Sequence, residues 1–175
     1  MKKTIPILLA FLLLTSCGKG SESGFSPEPG HSGLLTVVLP ATSEPAAGFD
    51  PAFGWGAGEH VHEPLIQSTL TVTNPDLTIG YDLATGMEVS GDGLTWTVKI
   101  RDDVKFTDGE PLTARDVAFT YNTVKNTSSV NDFTMLDRAE AVDDYTVAFR
   151  MTRPFAIWPY TMAVVGILPE HAYDP

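Results

Sequence analysis

The stretch Met87-Glu88-Val89-Ser90-Gly91-Asp92-Gly93-Leu94-Thr95-Trp96-Thr97-Val98-Lys99-Ile100-Arg101-Asp102-Asp103-Val104-Lys105-Phe106-Thr107-Asp108-Gly109-Glu110-Pro111-Leu112-Thr113-Ala114-Arg115-Asp116-Val117 sets the architecture of this chain. Ser90 to Gly93 is a turn whose two glycines are free to take positive φ. From Leu94 to Ile100 the residues alternate: Leu94, Trp96, Val98 and Ile100 point one way, Thr95, Thr97 and Lys99 the other, so one face is buried and one is wet. A second turn follows at Thr107-Asp108-Gly109-Glu110. Thr113 is then a helix N-cap, and Asp116 holds the capping-box position, where Glu or Gln would reach back better. The helix is expected to run to about Lys125, with Val117, Tyr121 and Val124 as its inward stripe and Ala114 and Ala118 beside it.

Downstream, a polar stretch from Asn126 to Asp132 precedes a second sheet segment. Ala139 to Val142 and Tyr145 to Met151 flank Asp143-Asp144 and read as a hairpin with Tyr145, Val147, Phe149 and Met151 on one face. Upstream, Leu34 to Leu39 is a short β-branched strand closed by Pro40. Ala41 to Gly58 is a loop rich in Gly, Pro and Ala, and Glu59 to Gln67 is a candidate short helix despite Pro64. Ser68 to Thr73 alternates as a strand before the turn at Asn74-Pro75-Asp76. There is no internal repeat. Sheet dominates and helices are few, so the expected class is α+β, a mixed sheet with few helices, rather than a repeated βαβ unit.

The first residues are an address. Met1-Lys2-Lys3, the apolar run Ile5 to Leu14 and Leu14-Thr15-Ser16-Cys17 have the order of an export signal. The run is far shorter than the roughly 20 apolar residues a spanning helix needs. Leu-Thr-Ser-Cys is similar to a bacterial lipobox, which makes Cys17 the expected lipidation site and couples the chain to a lipid membrane. As the one cysteine of the sequence, Cys17 has no internal disulfide partner. Gly18 to Gly30 is rich in Gly, Ser and Pro and reads as a flexible tether. The expected organisation is residues 1–17 signal peptide, 18–32 tether and 33–175 folded body.

Removal of Lys2 and Lys3 with the leader leaves nine basic against 22 acidic residues, a formal charge of −13. No basic cluster exists, which argues against a nucleic-acid partner. At the other end the chain stops in Ile167-Leu168-Pro169-Glu170-His171-Ala172-Tyr173-Asp174-Pro175, just after Pro169 has the position to open a helix. The expectation from this ending is a truncated chain.

The segment from Met87 to Val117 resembles the large solute-binding proteins of bacterial oligopeptide, dipeptide and nickel ABC importers. The aromatic-bearing strand, the basic-acidic turn, Lys-Phe before Asp-Gly and the Leu-Thr-Ala opening of a helix occur in that family's order. Glu63-Pro64-Leu65, Arg153-Pro154-Phe155 and Ile167-Leu168-Pro169-Glu170-His171 are similar to it as well, although His62 stands where the family usually has an aromatic. The resemblance implies a type II periplasmic-binding-protein-like fold of two lobes closing over a ligand, of which this chain supplies the start of the first lobe. It implies a peptide, a small solute or a nickel complex as ligand, an ABC permease and ATPase as partners, residence at the cell envelope, no cofactor and no enzymatic step. A non-transport sensory or surface lipoprotein on the same scaffold is the alternative.

Candidate site residues divide by context. Trp96, Phe106, Tyr121 and Phe149 occupy patterned positions and are expected in the core. Phe53, Trp55 and Trp158 lie in expected loops, where aromatics give large contact area at low entropic cost, and are the candidate ligand contacts. His60 and His62, in Glu59-His60-Val61-His62-Glu63, are candidate metal ligands. On a strand they align; on a helix they stand roughly 200° apart and cannot share an ion, and surface His and Glu on an ordinary helix explain the same residues. Asp102-Asp103 and Asp143-Asp144 read as turn residues, not an acid/base pair. No nucleophile elbow or metal-protease spacing occurs.

Overall fold

The computed structural model describes residues 67–127 and 132–173. Two short strands open it, β1 (Thr71–Thr73) and β2 (Ile79–Tyr81), paired antiparallel with Val72 opposite Gly80. The turn between them puts Leu77 at φ 66, a left-handed conformation that a leucine adopts at a cost. Tyr160 Oη donates to the Leu77 carbonyl at 2.8 Å, and Leu77 itself is 70% exposed.

The larger sheet contains β3 (Ala84–Val89), β4 (Thr95–Ile100), β5 (Leu136–Asp143) and β6 (Thr146–Met151) in the order β3-β4-β6-β5, every pairing antiparallel. The turn from β3 to β4 is the one expected from Ser90 to Gly93, with only its second glycine at positive φ, Gly93 at 71°. Asp92 Oδ1 accepts the Leu94 amide and Ser90 Oγ accepts the Thr95 amide, so short polar side chains close the turn. The loop from β5 to β6 falls one residue later than Asp143-Asp144. Asp143 pairs with Thr146, and Tyr145 lies in the turn, exposed, rather than on the inner face.

On that inner face Val98 lies opposite Val147, Trp96 opposite Phe149, and Phe149 opposite Ala139. Helix α1 (Ala114–Thr127) lies over it and buries Ala114, Val117, Ala118, Tyr121 and Val124, the stripe that the 3.6-residue period indicated. Two short helices complete the body, α2 (Trp158–Met162) with Pro159 in its first turn and α3 (Glu170–Tyr173). The larger sheet, α1 and α2 share one apolar core, which Leu70 and Leu83 join from the segments flanking β1 and β2. Its centre is aromatic: Tyr121 meets Phe149 edge-on at 4.8 Å and Trp158 at 5.6 Å.

Trp158 corrects an expectation. It belongs to α2 rather than to a loop and is fully buried against Tyr121, Phe133 and Phe149, so it serves the core and presents no surface to a ligand. The apolar contacts of a buried indole decide its place. Phe155 packs partly against the same core.

Asp116 locks the start of α1 to the end of the described chain. Its Oδ2 accepts both the amide and the hydroxyl of Thr113 at 2.9 Å, so the shorter carboxylate does reach back. Its Oδ1 accepts the Glu170 amide at 3.0 Å. One turn on, Thr120 Oγ1 donates to the Asp116 carbonyl at 2.7 Å and accepts the Leu168 amide at 2.9 Å. Asp116 is 5% exposed, so removing its carboxylate strands several donors. Asp116→Ala is expected to lower stability by about 2–4 kcal/mol in urea unfolding, the sum of a lost cap and lost charge-assisted bonds. Leu77→Gly is expected to raise stability by roughly 1 kcal/mol in the same assay, because it relieves the left-handed strain and gives up little burial.

Candidate functional site

Most residues singled out as ligand, metal or lipid sites fall before Gln67. Cys17, Phe53, Trp55, His60 and His62 lie outside the described residues. Among the described residues no group of three His, Cys, Asp or Glu side chains gathers to hold a metal ion.

The described body carries shallow grooves. One, of about 380 Å3, runs between the turn at Thr107 to Glu110 and the start of α3; Leu83, Phe106, Leu112 and Leu168 form its apolar floor, and Lys105 and Asp108 stand at its rim. The turn beside it is built by Gly109, at φ 96, with Phe106 donating its amide to the Glu110 carbonyl and Leu112 donating to that of Val104. Asp108 Oδ1 accepts the Glu110 amide at 3.1 Å, which fixes the carboxylate at the tip.

His171, on α3, reaches that carboxylate. Its Nε2 lies 2.6 Å from Asp108 Oδ2, and its ring stands edge-on to Phe106 at 6.0 Å. The hydrogen bond to Asp108 holds the imidazole above its ordinary value, with the charges of Asp108, Asp116 and Glu110 acting in the same direction. The same bond, followed by that from the Glu110 amide, holds Asp108 below the usual carboxylate range. Both residues stand in segments quoted above from the sequence, yet 63 positions apart, and nothing local in either segment announces the pair.

The adjacent carboxylates are structural. Asp103 takes both ends of the Arg101 guanidinium at 2.8 and 2.9 Å, and Asp143 Oδ1 accepts the Tyr145 amide at 2.9 Å within the hairpin turn. In the core, burial pushes the Tyr121 hydroxyl well above its ordinary range, and neither Tyr121 Oη nor Trp158 Nε1 finds a hydrogen-bond partner among the described residues.

Residues 78–175 match the family model of bacterial extracellular solute-binding proteins, family 5 middle. The chain belongs to this family. Protein XP55 of Streptomyces lividans is 32% identical over 90% of the chain and 28% of its own length. The oligopeptide-binding protein AppA of Bacillus subtilis is 29% identical over 98% of the chain and 32% of its own length. Among solved structures, NikZ from Campylobacter jejuni in complex with Ni(L-His) superposes with a TM-score of 0.62 at 28% identity, covering 70% of this chain and 25% of NikZ. The α+β class, with few helices and the architecture of two-lobed binding proteins, stands on these likenesses. This chain thus spans about a third or less of the length of the family 5 relatives it matches.

The His171–Asp108 pair yields a pH prediction. Protonated His171 gains a partner on folding, so its contribution is present below its ordinary value and fades as pH rises through the raised one. Asp108 contributes above its ordinary value, and that part fades as pH falls through the lowered one. The pair is therefore fullest between the usual carboxylate and imidazole ranges. In an NMR titration the His171 midpoint is expected above about 6.5, and Asp108→Asn is expected to return it toward that value.

Proposed function

We propose that this chain is part of the substrate-binding lipoprotein of an ABC importer, anchored through Cys17 and taking a peptide as its ligand. What carries the reading is the family match over residues 78–175, joined to likeness along nearly the whole chain to a protein named for binding oligopeptides. The described body is then a piece of the first lobe. Ligand contacts are assigned to the region of Phe53 and Trp55, and a permease with its ATPases receives the load. No bond is made or broken. Closure of two lobes draws its energy from contacts the ligand makes in the closed form but not in the open one, so one lobe binds weakly alone.

Nickel is the second reading, favoured by the likeness to a protein solved with Ni(L-His). His60 and His62 are its proposed ligands. A sensory or surface lipoprotein on the same scaffold is the reading without transport.

Thermal shift on a chain carried to the relatives' full length separates these. A peptide pool at a hundredfold excess over its dissociation constant is expected to stabilise the protein by about 2.7 kcal/mol. A shift with nickel–histidine instead, lost in His60→Ala/His62→Ala, transfers the reading to nickel, and no shift with either probe rejects both ligand assignments. Incorporation of labelled palmitate that vanishes in Cys17→Ser is the outcome expected for the anchor; equal labelling of both proteins rejects it.

A further inference from the structure

Among the described strands β5 stands at one edge of its sheet, and an edge strand offers free amides and carbonyls to any other chain. Here the offer is withdrawn by side chains of α1. Asn122 Oδ1 accepts the Ala139 amide at 2.9 Å, and Asn122 Nδ2 donates to the Ala139 carbonyl at 2.9 Å. Lys125 Nζ donates to the Asp137 carbonyl. The primary amide of Asn122 thus makes the pair of bonds that a residue of a neighbouring antiparallel strand would make.

The chemistry of the edge names its natural occupant. If β5 met β5 of a second copy about a two-fold axis at Ala139, the two Ala139 residues would exchange both bonds. Arg138, which within one copy pairs with Glu140 at 2.7 Å, would then lie directly opposite Glu140 of the other copy, where the same charges can be shared across the seam. Opposite charges facing across a narrow antiparallel pair are favourable, and like charges there are unfavourable. Irregularities in the β5–β6 register, between Leu136 and Arg138 and between Ala141 and Asp143, bound the regular stretch on both sides, so such a pairing is short. A two-fold contact of this kind is also closed. A groove of about 590 Å3 runs along the outer flank of α1 and includes Asn122, Asn126 and Ala141 in its walls.

We infer that Asn122 is a built-in plug that occupies the place of a second copy's Ala139 and so keeps the β5 edge from forming a two-fold dimer of this chain. Unlike the importer reading, this inference needs no ligand and survives or fails independently of it.

Sedimentation velocity of the full chain, wild type beside variants under identical conditions, tests it. Wild type is expected to sediment as a monomer and Asn122→Ala as a discrete dimer; alanine is the better helix former, so α1 itself is not weakened. Adding Glu140→Arg to Asn122→Ala sets Arg against Arg and is expected to abolish the dimer. Adding Arg138→Glu as well restores opposite charges and is expected to bring it back. An Asn122→Ala chain that keeps the wild-type circular dichroism and stays monomeric overturns the inference. So does a wild type that already dimerises through this edge, or association that ignores the charge reversal. Should Asn122→Ala lose its fold, Asn122→Ser, whose hydroxyl is too short to span both groups, is read in the same way.

Discussion

The Asp116 carboxylate is buried where the first turn of α1, the Thr113 cap and the start of α3 converge. A carboxylate out of water is costly, and the three donors aimed at its two oxygens offset that cost. Much else is aligned through this point. The direction of α1 determines which side chains meet the sheet, and Thr120 ties Leu168 to the same turn. The following step runs through Ile167, whose amide donates to the Ser68 carbonyl at 3.0 Å, so the first and last described segments are joined within a few residues of Asp116.

Where structure follows from neighbours in sequence, the chain could be read directly. The alternation of β4 and the helical stripe of α1 are local patterns, and Val98, Val117, Tyr121 and Val124 are buried accordingly. Where structure follows from distant partners, the reading gave out. Ile79-Gly80-Tyr81 is too short to carry a period and becomes β2 only because β1 lies beside it. Trp158 was expected in a loop, yet Pro159 sits in the first turn of a helix, and three aromatic neighbours from elsewhere in the chain bury the indole. Asp116 was legible as a cap but not as the acceptor for an amide 54 positions away.

The same division governs the candidate site. Family membership was visible in spaced local features, because several turns and caps had to occur in one order. The His171–Asp108 contact was not, since it depends on how α3 returns to the turn at Gly109. What the described body does show is a sheet covered on one face, an edge bonded to Asn122 and a capped helix.

The joining of early and late segments also governs the order in which this body can assemble. Thr71 donates its hydroxyl to the Pro159 carbonyl, 88 residues downstream, and the backbone of Gly166 passes so close to Gln67 that an added Cβ would lie 2.5 Å from that side chain's own. Strands β1 and β2 therefore have no completed surroundings until α2 and the segment after it are available. Contacts of such long range are slow to close. Until α2 has been made the Thr71 hydroxyl lacks its acceptor, so the surroundings of β1 are completed only when the far end of the described segment is in place.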